Sequence, residues 1–182
     1  MTEAPKTHPS QKLLASNELH QGYRITVRLD TLELEDGTEV TRDVIVHPGA
    51  VGIVPVLPDG SVILIRQWRH APATELLEIP AGTLEPGEPP IETARRELIE
   101  ETGYEAGSME PVTSFYTTPG FTDEVLHVFI ARDLKAVPMD LDDGEIIEPI
   151  TVGRAEAMAM CRDGRIQDAK TMIGLLMTDQ PQ

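Results

Sequence analysis

Cysteine is nearly absent from this chain, which has one such residue, Cys161, among its 182. A single cysteine excludes an intrachain disulfide, and the five histidines show no spacing that predicts a zinc site. There is also no long apolar run and no charged-then-apolar N-terminus that would indicate a membrane span or an export signal. We therefore expect a cytoplasmic protein, and we expect Cys161 to be a helix residue rather than a nucleophile.

Basic residues are scarce as well, with 15 lysines and arginines against 31 aspartates and glutamates and a formal net charge of −16. Binding to a nucleic acid polymer depends on clustered basic side chains, so this balance argues against such a partner. A small anionic substrate remains compatible, because a divalent metal ion and one or two arginines neutralise a diphosphate locally. The length and the 40% hydrophobic content predict one main domain with a small additional subdomain.

The segment GTLEPGEPPIETARRELIEETGY, from Gly82 to Tyr104, has the most informative pattern. Residues 89–102 are predicted to be helical, because two prolines suit the first turn and Gly103 is typical of a C-terminal stop. Crowded carboxylates on one arc of this helix call for a counter-charge, and hard oxygen ligands favour Mg²⁺, Mn²⁺ or Ca²⁺ over zinc. The alternative is a solvated acidic face. The carboxylates on that arc belong to Glu97, Glu100 and Glu101.

At all its charged and glycine positions this segment resembles the signature of the Nudix hydrolases. The matching positions run from Gly82 through Glu88 to residues 96–103, and the one departure is Tyr104, where an aliphatic residue is usual. The resemblance implies an α/β (α+β) fold in which a mixed sheet lies between helices. It also implies hydrolysis of a nucleoside diphosphate that is linked to another moiety.

The same resemblance implies roles for individual residues. Glu97, Glu100 and Glu101 become metal ligands, and Ala81 contributes its backbone carbonyl. Arg96 orients the glutamates, and it is counted with Glu101 among the catalytic residues. The expected cofactor is Mg²⁺, with Mn²⁺ as a possible substitute.

Three more stretches, VILIRQWRH, ELLEIPAGTLEPGE and FYTTPGFTDE, are similar to the ADP-ribose pyrophosphatase branch of that family. Pro119 follows Gly103 by sixteen residues, which matches the proline-containing loop of the branch. The resemblance implies that Arg69 contacts the diphosphate and that Glu124 is a substrate-binding acid. Arg66 is the rival to Arg69, and the two must point to opposite faces of a strand. The alternative for either arginine is a surface charge.

The general base is predicted to be Glu145. Attack on a diphosphate needs a water that loses its proton near neutral pH, and a nearby carboxylate accepts that proton. The resemblance implies that this acid lies in the loop before the last strand, where Asp142-Asp143-Gly144-Glu145 is followed by Glu148. Glu145 matches better by position, and the alternatives are Glu148 and an acidic solvent loop.

Residues 13–47 are too few to form a stable domain alone, so they need another surface. We expect a disordered tail at 1–12, an N-terminal β subdomain at 13–47 and the hydrolase domain at 48–182. The resemblance implies that the subdomain builds an intertwined homodimer whose N-terminal segments reach the partner's active site. On that basis Arg42 would contact substrate and Tyr23 would stack on adenine. The alternatives are a surface charge and an ordinary strand aromatic.

Alternation and turn residues predict the remaining elements. YRITVRLDTLEL and VTRDVIVH, separated by an Asp-Gly turn signal, predict a small antiparallel sheet. Residues 51–57 and 61–68 flank Pro58-Asp59-Gly60 and predict a core hairpin. The other expected elements are a strand at 125–131 and helices at 154–162 and 168–177.

These matches together imply Mg²⁺-dependent hydrolysis of the pyrophosphate bond of ADP-ribose to AMP and ribose 5-phosphate. One alternative is a Nudix hydrolase for another diphosphate, such as a GDP-sugar or a flavin or nicotinamide dinucleotide. A second is a non-catalytic nucleotide sensor, although every signature glutamate is present. The expected partners are a small nucleoside diphosphate sugar and a second copy of the chain, without a nucleic acid polymer or a membrane.

Overall fold

The computed structural model describes residues 8–141 and 146–178, which divide into two compact units. The N-terminal unit comprises the described residues up to Pro48 together with Tyr116–Glu124. The main unit comprises Gly49–Phe115 and the described residues from Val125 onward. The elements in chain order are β1 Gln11–Gln21, β2 Thr26–Leu34, β3 Glu39–Val46, β4 Ala50–Pro55, β5 Val62–Arg69, β6 Thr74–Glu78, β7 Ala81–Thr83, α1 Pro90–Thr102, β8 Tyr104–Tyr116, β9 Val125–Ala136, β10 Ile147–Val152, α2 Arg154–Asp163 and α3 Ala169–Met177.

The N-terminal unit is built on an antiparallel sheet with the strand order β1-β2-β3, and the predicted pairing of β2 with β3 is confirmed. At the Asp-Gly turn between them, Gly37 has a φ of 80° and donates its N–H to the carbonyl of Leu34 at 2.9 Å. β1 begins at Gln11, two residues before the expected start of the subdomain, because its first residues pair with the end of β2. The part of the predicted tail at residues 1–7 lies outside the described residues.

The proline-containing loop, Tyr116–Glu124, also belongs to the N-terminal unit. Ile45 in β3 donates its N–H to the carbonyl of Phe121 at 2.7 Å and accepts from the N–H of Asp123 at 3.3 Å. The N–H of His47 donates to Oδ1 of Asp123 at 2.8 Å. The loop therefore continues the hydrogen bonding of β3, a contact between residues far apart in sequence that the expected boundary at residue 47 did not include.

The main unit contains two sheets. The mixed sheet has the order β7-β4-β9-β8, with β4 parallel to β9 and antiparallel to β7. The second sheet has the order β10-β5-β6 and is antiparallel. Because β4 lies between two partners in its sheet and β5 lies between two in the other, the edges of both central strands are satisfied.

β4 is buried along its whole length because helices cover both faces of the mixed sheet. Val51 and Ile53 lie in one apolar cluster with Ala94 and Leu98 of α1. Val54 lies in another cluster, which includes residues of α2 and α3. Because side chains alternate along the strand, β4 contributes residues to the apolar clusters on both faces of the sheet. The expected mixed sheet between helices is confirmed.

The predicted core hairpin is wrong in its pairing. The turn at Pro58-Asp59-Gly60 forms, since Gly60 donates its N–H to the carbonyl of Leu57 at 2.9 Å. However, β4 and β5 belong to different sheets. The segments beside the turn join only briefly, through a bridge between Val56 and Val62 and a hydrogen bond from the N–H of Leu57 to the carbonyl of Ser61 at 2.9 Å. The edges of β4 are taken by β7 and β9, whose residues come later in the chain, and local turn chemistry carries no information about that competition.

The helix predictions are confirmed to within one residue. α1 follows Pro89 and ends at Thr102, and Gly103 caps it with a left-handed φ of 69°. Asp168 caps α3 by accepting from the N–H of Thr171. Cys161 lies in α2, as expected, and burial raises the pKa of its thiol. In residues 8–141 and 146–178, no helix has the length and apolar character needed to cross a membrane.

Candidate active site

The acidic face of α1 is organised around Arg96. Its Nη1 donates to Oε1 of Glu97 and to Oε2 of Glu100, at 2.8 Å each, and its Nη2 donates to Oε2 of Glu88 at 3.4 Å. Burial disfavours the charged guanidinium, but Glu97, Glu88 and Glu100 outweigh that effect and raise the pKa of Arg96 above its ordinary value. The arginine therefore stays charged and draws three carboxylates toward one point.

Glu101 connects α1 to β7. Its side chain is buried, with the residue 2% exposed, and its Oε2 accepts from the backbone N–H of Ala81 at 2.8 Å. This hydrogen bond brings the carboxylate to the same peptide segment whose carbonyl was predicted as a metal ligand. A buried carboxylate on a neighbouring N–H also keeps that stretch of backbone in place.

Gly82 is required by close approach. A Cβ at this position would lie 1.8 Å from Oε1 of Glu97, so the carboxylate occupies space that only glycine leaves open. Glu97 and Glu101 thus both lie against the backbone of residues 81 and 82. The signature glycine serves the placement of a predicted metal ligand rather than a turn with positive φ.

The donor set fits a hard divalent cation by its chemistry. Carboxylates from one helical turn and a backbone carbonyl supply only oxygen, which suits Mg²⁺ or Mn²⁺. Among the residues described, no three acidic, histidine or cysteine side chains are already arranged as a metal cage. Glu97 and Glu100 instead form ion pairs with Arg96. The chain itself therefore already engages the three predicted carboxylate ligands: Arg96 pairs with Glu97 and Glu100, and Glu101 accepts from the N–H of Ala81.

Arg69 lies at the end of β5 and forms a two-pronged ion pair. Its Nε donates to Oε1 of Glu78 and its Nη2 to Oε2 of Glu78, at 2.7 Å each. The hydrogen bonds to Glu78 raise the pKa of Arg69. Arg66, in contrast, pairs with Glu148 across the strand pair at 3.1 Å. The prediction that the two arginines point to opposite faces is confirmed.

Glu78 has a second cationic partner, Lys170 of α3, whose Nζ donates to Oε2. Lys170 also donates to Oδ1 of Asp168 at 3.1 Å. Burial tends to raise the pKa of Glu78, but Arg69 and Lys170 outweigh it and hold that pKa below its ordinary value. The carboxylate is therefore ionised inside the main unit.

Sequence reasoning missed this Glu78 cluster. Its signals were a glutamate in the middle of the otherwise apolar LLEIP stretch and a lone lysine near the start of the apolar helix AKTMIGLLM. A single charged residue in either stretch is typical of the protein surface. Glu78 and Lys170 are 92 residues apart in sequence, so only the folded structure shows that they are in contact. The buried Gln67, on the same strand face as Arg69, was missed too, and its Oε1 has no hydrogen-bond partner in the described part of the chain.

The two candidates for the general base have different outcomes. Glu145 lies outside the described residues, so its assignment stays a prediction. Glu148 lies in β10 with its side chain 65% exposed and paired to Arg66. Because Arg66 and Arg69 face opposite ways, this pairing places Glu148 on the sheet face away from Arg69.

The remaining predicted substrate residues, Tyr23, Arg42 and Glu124, belong to the N-terminal unit. Tyr23 is 96% exposed between β1 and β2, with the guanidinium carbon of Arg24 at 5.4 Å from its ring centroid. Arg42 is exposed in β3, and its Nη1 donates to the carbonyl of Thr41 at 2.8 Å. Glu124 accepts from Oγ1 of Thr117 at 2.6 Å. Their roles stay predictions.

Comparison with known proteins assigns this chain to a family. A family model described as NUDIX domain matches residues 46–172. The chain is 39% identical over 163 residues to the ADP-ribose pyrophosphatase of Bacillus subtilis, covering 88% of each. It is 36% identical over 167 residues to a methanol dehydrogenase activator of Bacillus methanolicus, with 91% of this chain and 90% of that protein covered.

A GDP-mannose pyrophosphatase of Yersinia enterocolitica is 36% identical over 151 residues, with 76% of this chain and 78% of that protein covered. A solved structure described as an ADP compounds hydrolase superposes with a TM-score of 0.83 at 24% identity, over 95% of this chain and 94% of that one. That likeness shows a common fold. The family match, the close relatives and the intact acidic signature lead to one conclusion, that the chain belongs to the Nudix family of hydrolases.

Proposed function

We propose that this protein hydrolyses the pyrophosphate bond of ADP-ribose to AMP and ribose 5-phosphate, with Mg²⁺ as its metal ion. The observation that carries the proposal is the placement of Glu97 and Glu101 against the backbone of residues 81 and 82, with Glu100 held beside Glu97 by Arg96. Arg69 adds a cation for the diphosphate in the same unit. Nudix hydrolases generally use divalent metals, and the oxygen-only donor set favours Mg²⁺, with Mn²⁺ as a substitute.

Each residue has a distinct task in the reaction. Glu97, Glu100, Glu101 and the Ala81 carbonyl would hold the cation. The chemistry that a cation supplies at such a site is neutralisation of phosphate charge and acidification of water. Arg96 keeps the carboxylates oriented, since it contacts two of them at 2.8 Å.

Arg69 and Glu145 act on the substrate and the water. Arg69, charged at every working pH, holds the diphosphate oxygens. Glu145 takes a proton from the attacking water, whose oxygen bonds to one phosphorus while the bridging P–O bond breaks and its electron pair leaves with the other phosphate. Both assignments rest on position in the family pattern.

The N-terminal unit is proposed to form an intertwined homodimer in which Arg42 contacts substrate and Tyr23 stacks on adenine. The near-complete exposure of Tyr23 supports this, because an exposed aromatic side chain is accessible to a second ring. Light scattering at micromolar concentrations is expected to give the mass of two chains. A monomer across that range would contradict the proposal.

Relatives of comparable similarity differ in name, so a second candidate is hydrolysis of another nucleoside diphosphate such as GDP-mannose. The measurement is product chromatography with Mg²⁺ or Mn²⁺ and a panel of ADP-ribose, GDP-mannose, NADH, flavin dinucleotide and nucleoside triphosphates. We expect preferential conversion of ADP-ribose to AMP and ribose 5-phosphate. Preference for another diphosphate would overturn the substrate, and no turnover with either metal would favour a nucleotide sensor.

Glu101→Gln is expected to lower turnover by about two orders of magnitude or more, because it removes an anionic ligand from the proposed metal site. The amide oxygen of glutamine still accepts from Ala81, so the melting temperature should change little. The matched control is Glu92→Gln, which changes an exposed acid in the first turn of the same helix. Equal activity in the two variants would contradict the metal role.

Glu145→Gln is expected to reduce kcat by roughly 10²-fold to 10⁴-fold, the usual range for loss of a general base. Glu148→Gln should retain most of the activity, because this side chain pairs with Arg66 on the other sheet face. The readout is kcat as a function of pH for both variants. Near-normal turnover in Glu145→Gln with loss in Glu148→Gln would reverse the assignment.

A further inference from the structure

Glu78 is the most buried charge in contact with a predicted substrate residue. It is 1% exposed and lies between Arg69 of β5 and Lys170 of α3. An ionised carboxylate is retained in such a place only when cations and hydrogen bonds compensate for the water it has lost. The two cations come from different elements, so the trio also joins the second sheet to α3.

The geometry of this contact leaves one edge of Arg69 unused. A guanidinium has five N–H donors in a rigid plane, and Glu78 takes one from Nε and one from Nη2. Nη1 has no hydrogen-bond partner in the described part of the chain, and the Arg69 side chain is 38% exposed. The two bonds fix the plane of the group, and its remaining donors suit bidentate binding of a phosphate.

Lys170 is held in turn by the start of α3. It donates to Asp168, whose other oxygen caps the helix at the N–H of Thr171. The hydroxyl of Thr171 accepts from the backbone N–H of Ile79 at 2.7 Å. The first turn of α3 therefore holds both Glu78 and the backbone that follows it, two residues before Ala81.

We propose that Glu78 and Lys170 are positioning residues that hold Arg69 with its Nη1 edge available for the diphosphate of the substrate. The inference rests on the proposed function, because it supposes a diphosphate ligand. Glu78 sets the plane of the guanidinium. Lys170 neutralises part of the negative charge of Glu78 and donates a hydrogen bond to its Oε2. The carboxylate is thereby kept from rotating and retains both hydrogen bonds to Arg69.

Lys170→Met tests the proposal without removing either Glu78 or Arg69. The methionine retains most of the aliphatic stem and removes the charge. Arg69 meets charge that is present in the bound substrate as well as in the transition state, so its misplacement should mainly weaken binding. We expect KM for ADP-ribose to rise about tenfold with a much smaller change in kcat. Effects of this size are typical when a residue that orients a binding side chain is lost.

Two further variants separate positioning from simple stability. Lys170→Arg restores a cation and should return KM to near the wild-type value. Arg165→Met removes one positive charge from an exposed ion pair with Asp163 and should leave KM unchanged. A role in stability alone would lower the active fraction, and with it the apparent kcat, at unchanged KM. That pattern in Lys170→Met would overturn the proposal.

Calorimetric binding of inorganic pyrophosphate to the same set of proteins distinguishes this inference from the proposed function. If wild type binds pyrophosphate with Lys170-dependent affinity but does not hydrolyse ADP-ribose, the positioning holds and the proposed reaction fails. If wild type hydrolyses ADP-ribose and Lys170→Met keeps the KM and the pyrophosphate affinity, the positioning fails alone. Absence of both activities in wild type would count against both.

Discussion

Compensation of negative charge is the constraint on which the main unit depends. Glu78 and Glu101 are buried, and Glu97 and Glu100 lie beside Glu101 in the last turns of α1. Desolvation makes an unpaired carboxylate so costly that each must find a donor when the chain folds. The partners found are Arg69 with Lys170, the N–H of Ala81, and Arg96. These contacts join α1 to β7, and β5 and β6 to α3.

The same contacts place the candidate chemistry, so stability and function draw on the same interactions. Thr171 accepts from Ile79 and Glu101 accepts from Ala81, and the short backbone stretch between them is thereby held from two sides. Arg69 is fixed from the side of β6 by Glu78. Under the proposed function, a diphosphate bound beside these groups would meet charges that need little reorganisation, which is the usual source of electrostatic catalysis.

How much of this could be predicted from the sequence depends on the range of the interaction. The bounds of α1 follow from local signals, two prolines at its start and Gly103 at its end, and the opposite directions of Arg66 and Arg69 follow from strand geometry. The separation of β4 and β5 into two sheets does not, because β9 and β7 compete for β4 from later in the chain. The contact of Lys170 with Glu78 could not be predicted either, because these two residues are also far apart in sequence.

Arg96 shows why a signature can be recognised before its geometry is known. Its spacing from Glu97 and Glu100 is local to one helix, so the sequence already implies that they meet. The sequence does not show how the guanidinium of Arg96 and a metal ion would compete for the same carboxylates. In the structure, Arg96 pairs with Glu97 and Glu100, two of the predicted metal ligands. Arg96 cannot surrender its charge by losing a proton, since its pKa is raised further by those carboxylates. A cation that bound at this acidic face would therefore share Glu97 and Glu100 with an arginine that remains charged.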